Sequence, residues 1–226
     1  MMRFWLGTTL LAASAASGAE ELTASQIVER MASSEAERFA ALKDYTVTRR
    51  YSLENRRFRK SAELVVRMEY AYPGRKTFQV VSERGSKTVR SRVLRKMIEA
   101  ETEARHDARI TTANYEFRLV GSEAIDGREC HLMETLPRTN SKFLFRGRIW
   151  VDKEDFAVVR VEGSPARNPS FWTRNTRIVH QYRKIGPFWL AASNRSSTDA
   201  LVFGHTEVTI DYYDYQIAPD QHTNGN

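Results

Sequence analysis

Gly147-Arg-Ile-Trp-Val-Asp-Lys-Glu-Asp-Phe-Ala-Val-Val-Arg-Val-Glu-Gly163 is the stretch whose reading decides the fold. It reads as the body of a hairpin: a strand over Phe143 to Val151, a turn through Asp152 to Asp155, and a second strand over Phe156 to Gly163. Phe143, Phe145 and Ile149 are apolar at a spacing of two or a multiple of two, the period at which strand side chains share one face. Asp152 and Asp155 flank the turn. Aspartates there ordinarily cap their own turn, and that reading is preferred to acid–base chemistry.

The same pattern extends in both directions. Upstream, Tyr115 to Ile125, the Asp126-Gly127 turn and Arg128 to Leu136 form a hairpin, with Phe117 and Leu119 on its apolar face. Downstream, a loop over residues 164 to 170 holds Pro165 and Pro169. Phe171 to Ile185, the Gly186-Pro187 turn and Phe188 to Ser197 then make another hairpin, and His205 to Ile217 is a last strand. Nearer the start, Tyr45, Val47, Tyr51 and Leu53 point one way while Thr46, Thr48, Arg50 and Ser52 point the other. Leu64, Val66, Met68, Tyr70 and Tyr72 alternate with Val65, Arg67, Glu69 and Ala71. Pro73-Gly74 turns the chain into a strand over Thr77 to Ser82, which carries Phe78 and Val80. About nine to eleven strands in antiparallel succession predict a mainly β, α+β protein built on a curved sheet or barrel.

Two segments break the strand period. Thr23-Ala-Ser-Gln26 is a capping-box pattern, followed by Ile27, Met31, Phe39 and Leu42 at helical spacing. It predicts an amphipathic helix of about 18 residues ending near Lys43. Ser86 to Arg105 places Val89, Val93, Met97 and Ala100 on a narrow stripe with Leu94 and Ile98 alongside. Its basic first half and acidic second half oppose the helix dipole. This inserted helix is expected to lie across a sheet face, as a functional lid or as plain packing.

Met1-Met2-Arg3, the apolar run Phe4 to Ala16 and the small residues Ser17-Gly18-Ala19 have the three parts of a secretory signal peptide. The apolar run is shorter than the roughly 20 residues that span a bilayer. Residues 1–19 are therefore expected to be removed near Ala19, residues 20–218 to form one soluble domain, and residues 219–226 to be a disordered tail. The alternative for the first residues is a short anchor. Cys130 is the single cysteine, so no internal disulfide is possible, and its strand setting predicts a buried, inert thiol. The formal charge of +7 could suit nucleic acid, which an exported protein rarely meets. Anionic lipid head groups, other envelope polyanions or simple solubility fit better.

The sequence holds no zinc-protease helix, phosphate loop, nucleophile elbow or dinucleotide fingerprint. His106, His131, His180, His205 and His222 are scattered without ligand spacing. Asp211 and Asp214 alternate with tyrosines and should face solvent. Asn194-Arg-Ser196 is a glycosylation triplet that a bacterial-style signal makes uninformative. No catalytic residue, metal site or cofactor is expected. What abounds is apolar sheet face. Curving it leaves a concavity that either accepts acyl chains, at ~0.8 kcal/mol per methylene buried, or is filled by the two helices.

The Gly147–Gly163 hairpin resembles that of periplasmic outer-membrane lipoprotein-sorting (LolA-like) proteins and the related domain of the sigma-E regulator RseB. Tyr115-Glu-Phe-Arg-Leu-Val-Gly, the Asp126-Gly127-Arg128 turn, Phe171-Trp172 and His180-Gln-Tyr-Arg-Lys-Ile-Gly-Pro-Phe-Trp189 fit the same pattern. The likeness runs from about Tyr45 to Ile217. It implies a half-open antiparallel barrel wrapped around both helices, with an apolar cavity and no cofactor. It also implies transport or sensing of lipidated protein in the periplasm. The family's functional residues do not match one by one, so none is carried over.

The expectation is thus a monomeric periplasmic carrier or sensor of the acyl chains of lipid or lipoprotein. Its cavity wall would comprise Val47, Leu64, Val66, Met68, Phe78, Val80, Phe117, Leu119, Phe143, Phe145 and Ile149, with Trp172 and Trp189 at the rim. A one-residue register slip would invert that face. A non-enzymatic interaction module of an envelope complex is the alternative. An enzyme is a distant third, to be revived by convergence of His131, His180 or His205 with a carboxylate.

Overall fold

The computed structural model describes residues 21–102, 109–168, 173–200 and 204–218. Helix α1 spans Ala24–Ala41. The strands are β1 (Asp44–Asn55), β2 (Lys60–Ala71), β3 (Arg75–Gly85), β4 (Tyr115–Ile125), β5 (Arg128–Pro137), β6 (Phe145–Asp152), β7 (Val158–Pro165), β8 (Thr173–Ile185), β9 (Phe188–Ala200) and β10 (Gly204–Ile217). Between β3 and β4 lies the inserted helix, made of α2 (Lys87–Val89), a π-helical turn (Arg90–Leu94) and α3 (Arg95–Thr102). Among the described residues the strands form one antiparallel sheet in the order β3-β2-β1-β10-β9-β8-β7-β6-β5-β4. Two meanders are joined where β10 returns to β1, in a register that sets Tyr51 opposite Ile210. The edges β3 and β4 do not pair, so the barrel stays open, as the resemblance implies.

Local chemistry accounts for the connections. Asp126 and Gly127 both adopt positive φ, 49° and 79°, as the tight turn between β4 and β5 requires. Gly147 and Gly163 sit opposite each other in β6 and β7, where a Cβ on either would strike the partner strand's main chain. In α1 the Thr23 hydroxyl accepts from the Gln26 amide, and the Gln26 side chain accepts from the Thr23 amide.

Each helix covers its own part of the sheet. Ile27, Val28 and Met31 of α1 pack on Tyr115, Met133, Phe145, Ile149, Val151 and Val161. Phe39, expected on that face, is 44% exposed and lines the open space between α1 and the sheet described below. The inserted helix packs on β1, β2 and β10, with Leu94 fully buried against Val47, Tyr51, Leu64, Val66 and Met68. Its stripe differs from the straight helical spacing. The Arg95 amide bonds the Arg90 carbonyl, five residues back, and this extra residue per turn aims Leu94 into the sheet. Arg90 and Arg95 both pair with Glu83, tying the helix to edge strand β3.

The two edge strands depart from one buried face per strand. Nearly all of β3 is exposed, with Val80 at 42% and Val81 at 61%, and in β4 only Tyr115 is buried.

At the other end of the sheet, Arg128 closes the β5, β6 and β7 turns. Its guanidinium grips Asp152 in two hydrogen bonds of 2.6 and 2.9 Å and reaches Asp155 at 3.3 Å. Asp152 also accepts from the amides of Glu154 and Asp155, capping its own turn as expected. Burial works to raise the Asp152 pKa. The Arg128 hydrogen bond and the Asp155 amide outweigh it and hold the carboxyl below the ordinary carboxylate range.

Truncation of Ile149 to Ala removes a fully buried side chain and should cost about 2–5 kcal/mol in urea unfolding. A loss well under 1 kcal/mol would mean that α1 does not pack there. Asp152→Asn should cost about 2 kcal/mol by weakening charged hydrogen bonds. Because the folded pKa of Asp152 is depressed, its contribution is present above the ordinary carboxylate pKa and is lost as pH falls below ~4. The variant should therefore show a shallower acid-side loss of stability than the parent.

Candidate functional site

The two helix-covered cores leave a gap between them. A cavity of about 360 Å³ lies between the C-terminal half of α1 and the sheet. Met31, Leu42, Tyr45, Tyr70, Ala157, Val158, Tyr182, Phe188, Trp189 and Leu190 line it, with Glu35, Arg38 and Lys76 as its charged groups. A shallower cleft of about 570 Å³ shares Tyr45 and Tyr70 with it and runs out past β2 and β10. Tyr45 and Tyr70 stack at 5.0 Å and form the wall between the two. At the mouth, Phe39 lies 6.3 Å from the Tyr72 ring, and the Lys43 ammonium sits 4.6 Å above Tyr72.

The floor is held by Asp155. Its carboxylate accepts from the Trp189 indole at 2.9 Å and pairs with Lys184 at 2.7 Å, while its carbonyl accepts from Arg38 at 2.8 Å. One turn thereby fixes β8, β9 and α1 around the cavity. Burial pushes the Tyr182 hydroxyl up to about 12, and it lowers the pKa of His180, two residues away on the same face. Both side chains are neutral at neutral pH.

Of the expected wall residues, Trp189 lines this cavity. Val47, Leu64, Val66 and Met68 are packed beneath the inserted helix, with Phe78 half-buried beside them. Phe145 and Ile149 lie beneath α1, with Phe117 and Leu119 partly buried around them. Phe143 is half-buried in the turn before β6 rather than in a strand, and Val80 is exposed on the edge strand. All of the faces were chosen from alternation, and alternation cannot say which stretch of an apolar face a helix will cover. Trp172 lies outside the described residues, as do residues 1–20 and the tail from residue 219.

Sequence reading also passed over Arg49. It is 5% exposed, with its guanidinium 5.6 Å from the Phe78 ring and 5.0 Å from that of Tyr212, and it donates to the Tyr51 hydroxyl at 3.3 Å. The signal was available, since Arg49 is in phase with Val47 and Tyr51. Asp211 pairs with Arg50 at 2.9 Å on the outer face. His205 lies between Asp199 and Glu207, at the end of the sheet remote from the cavity. The described residues include no group of three or more His, Cys, Asp or Glu arranged to hold a metal ion. Cys130 is fully buried, and burial raises its thiol pKa to about 11.

Residues 60–164 match the family model of the MucB/RseB N-terminal domain. No curated protein matches the chain. Among solved structures, a DUF1329 family protein from Desulfovibrio piger is 12% identical at a TM-score of 0.45, over 90% of this chain and 95% of that one. A putative outer membrane lipoprotein-sorting protein domain from Vibrio parahaemolyticus is 13% identical at 0.43, over 87% and 96%. A LolA superfamily protein from Nitrosomonas europaea is 11% identical at 0.39, over 88% and 96%. Residues 60–164, which match the MucB/RseB N-terminal domain model, run from β2 to β7 of the open ten-stranded sheet described above.

Proposed function

We propose that the protein is a periplasmic, non-enzymatic binder of acyl chains, acting as a carrier or sensor of lipid or lipoprotein. The observation that carries this reading is the apolar cavity between α1 and the sheet, a space that the described helices leave open. At about 360 Å³ it lies near the lower end of the range for small-molecule pockets, ~300–1,000 Å³. It holds about a dozen methylene-sized groups if each takes the ~30 Å³ of one liquid water. Burying them is worth on the order of 10 kcal/mol before the costs of ordering the chain. That suits one alkyl chain. A second chain would need the apolar face under the inserted helix, from Val47 to Met68, to be uncovered.

The alternative reading, an interaction module of an envelope complex, draws support from edge strand β3. Its exposed Val80 and Val81 lie on a strand that has one strand neighbour among the described residues, which favours pairing with another chain.

Native mass spectrometry of protein purified from a bacterial envelope should find an added mass of lipid size. Delipidated protein should take up a fluorescent fatty acid, and Val158→Trp, which fills the cavity from β7, should weaken that uptake about tenfold or more. Recovery without lipid, together with no uptake, would refute the acyl-chain reading.

A further inference from the structure

The tip of the β1–β2 hairpin is Arg56-Arg57-Phe58-Arg59, followed by Lys60 at the start of β2. Four cations and one aromatic ring thus occupy five consecutive positions, all exposed, with Phe58 at 47%. Such a tip is held in one conformation by its root. Asn55 is buried at 8%; its side-chain carbonyl accepts from the Phe58 amide at 2.9 Å, and its side-chain amide donates to the Thr206 hydroxyl at 2.8 Å. Arg59 takes φ of 48°, which completes the turn. The Arg57 stem packs over Gly204 of the neighbouring hairpin, and its guanidinium lies 5.8 Å from the Phe58 ring.

The charges around the tip are of both signs, and three of the acids are held in ion pairs. Glu207 pairs with Arg56 at 2.9 Å, Asp199 with His205 at 2.9 Å, and Glu83 with Arg90 and Arg95 of the inserted helix. Glu54 is exposed and Glu63 half-buried near the root, and the cations Arg84, Lys87 and Arg174 are exposed at the same end of the sheet. Beyond Glu207's hold on Arg56, the tip's Arg57, Arg59 and Lys60 project as an excess of positive charge around a ring. A soluble polyanion would be recognised by the cations and would leave the ring in water. A bilayer with anionic head groups uses both, because basic residues are drawn to its surface and an aromatic ring is stable at the interface.

We propose that the β1–β2 tip is a membrane-docking point that seats on an anionic phospholipid surface. Arg57, Arg59 and Lys60 lie among the head groups, and Phe58 enters the interfacial layer. Tyr45, at the far end of β1, lines the cavity, and ten residues of strand separate it from Asn55 by about 30 Å. Docking through the tip therefore holds the cavity mouth away from the bilayer that carries the protein.

Vesicle flotation of the purified protein tests this. The parent should float with phosphatidylglycerol-containing vesicles at low salt, fall off as salt rises, and not float with pure phosphatidylcholine. The double variant Arg57→Glu, Arg59→Glu should lose affinity on the order of a hundredfold, and Phe58→Ser roughly tenfold. Circular dichroism and fatty-acid uptake should match the parent in both, because these side chains are exposed and remote from the cavity. Equal flotation with both kinds of vesicle, or of the double variant and the parent, would overturn the proposal. An unchanged Phe58→Ser protein that also binds soluble polyphosphate would overturn it in favour of a polyanion that is not a membrane.

Discussion

A sheet of ten antiparallel strands with one apolar face has to hide that face, and the burial of that face is what the rest of this molecule depends on. Sheets of this width curl because each strand twists, and here β10 pairs with β1 so that the two meanders share one concave side. An 18-residue helix is only about 27 Å long. Helix α1 therefore covers the β4–β8 half, the inserted helix covers β1, β2 and β10, and the space between their two cores is left to the aromatic lining of the cavity. The hollow follows from geometry: the covering elements are too few and too short for the surface.

The polar network at one end keeps that hollow from collapsing. Asp155 holds Trp189 and Lys184 through its carboxylate and Arg38 through its carbonyl, so α1, β8 and β9 are fixed to a single turn. Arg128 steadies that turn from below through Asp152. Apart from the exposed Lys184, these contacts are made by buried or half-buried groups, where charged hydrogen bonds are strongest and geometry is held most tightly.

Much of this was legible in the amino-acid sequence, because the two periods are distinct. Alternation marked the strands, the capping box marked α1, and Asp126-Gly127 marked a tight turn. Three things were not legible, for physical reasons. Alternation identifies an apolar face but not its cover, so residues such as Val66 and Ile149, expected in a cavity wall, proved to be core under helices. The π-helical turn is a one-residue irregularity that a helical stripe cannot foretell, and it put Leu94 in the sheet. The cavity lining comes from eight separate segments whose meeting is set by topology, so Tyr182 and Leu190 carried no local sign of their position. Arg49 differs, since its phase with Val47 was plain and only its charge argued against an inward direction.

The central claim is that an apolar chain enters the gap between the two cores. It is tested most directly by nuclear Overhauser contacts between a labelled fatty acid and the methyl groups of the protein. The account predicts contacts to Met31, Ala157 and Leu190, which line the gap, and none to Val66 or Ile149, which the helices cover. Contacts confined to exposed methyls such as Val81, or none at all with saturating ligand, would contradict it.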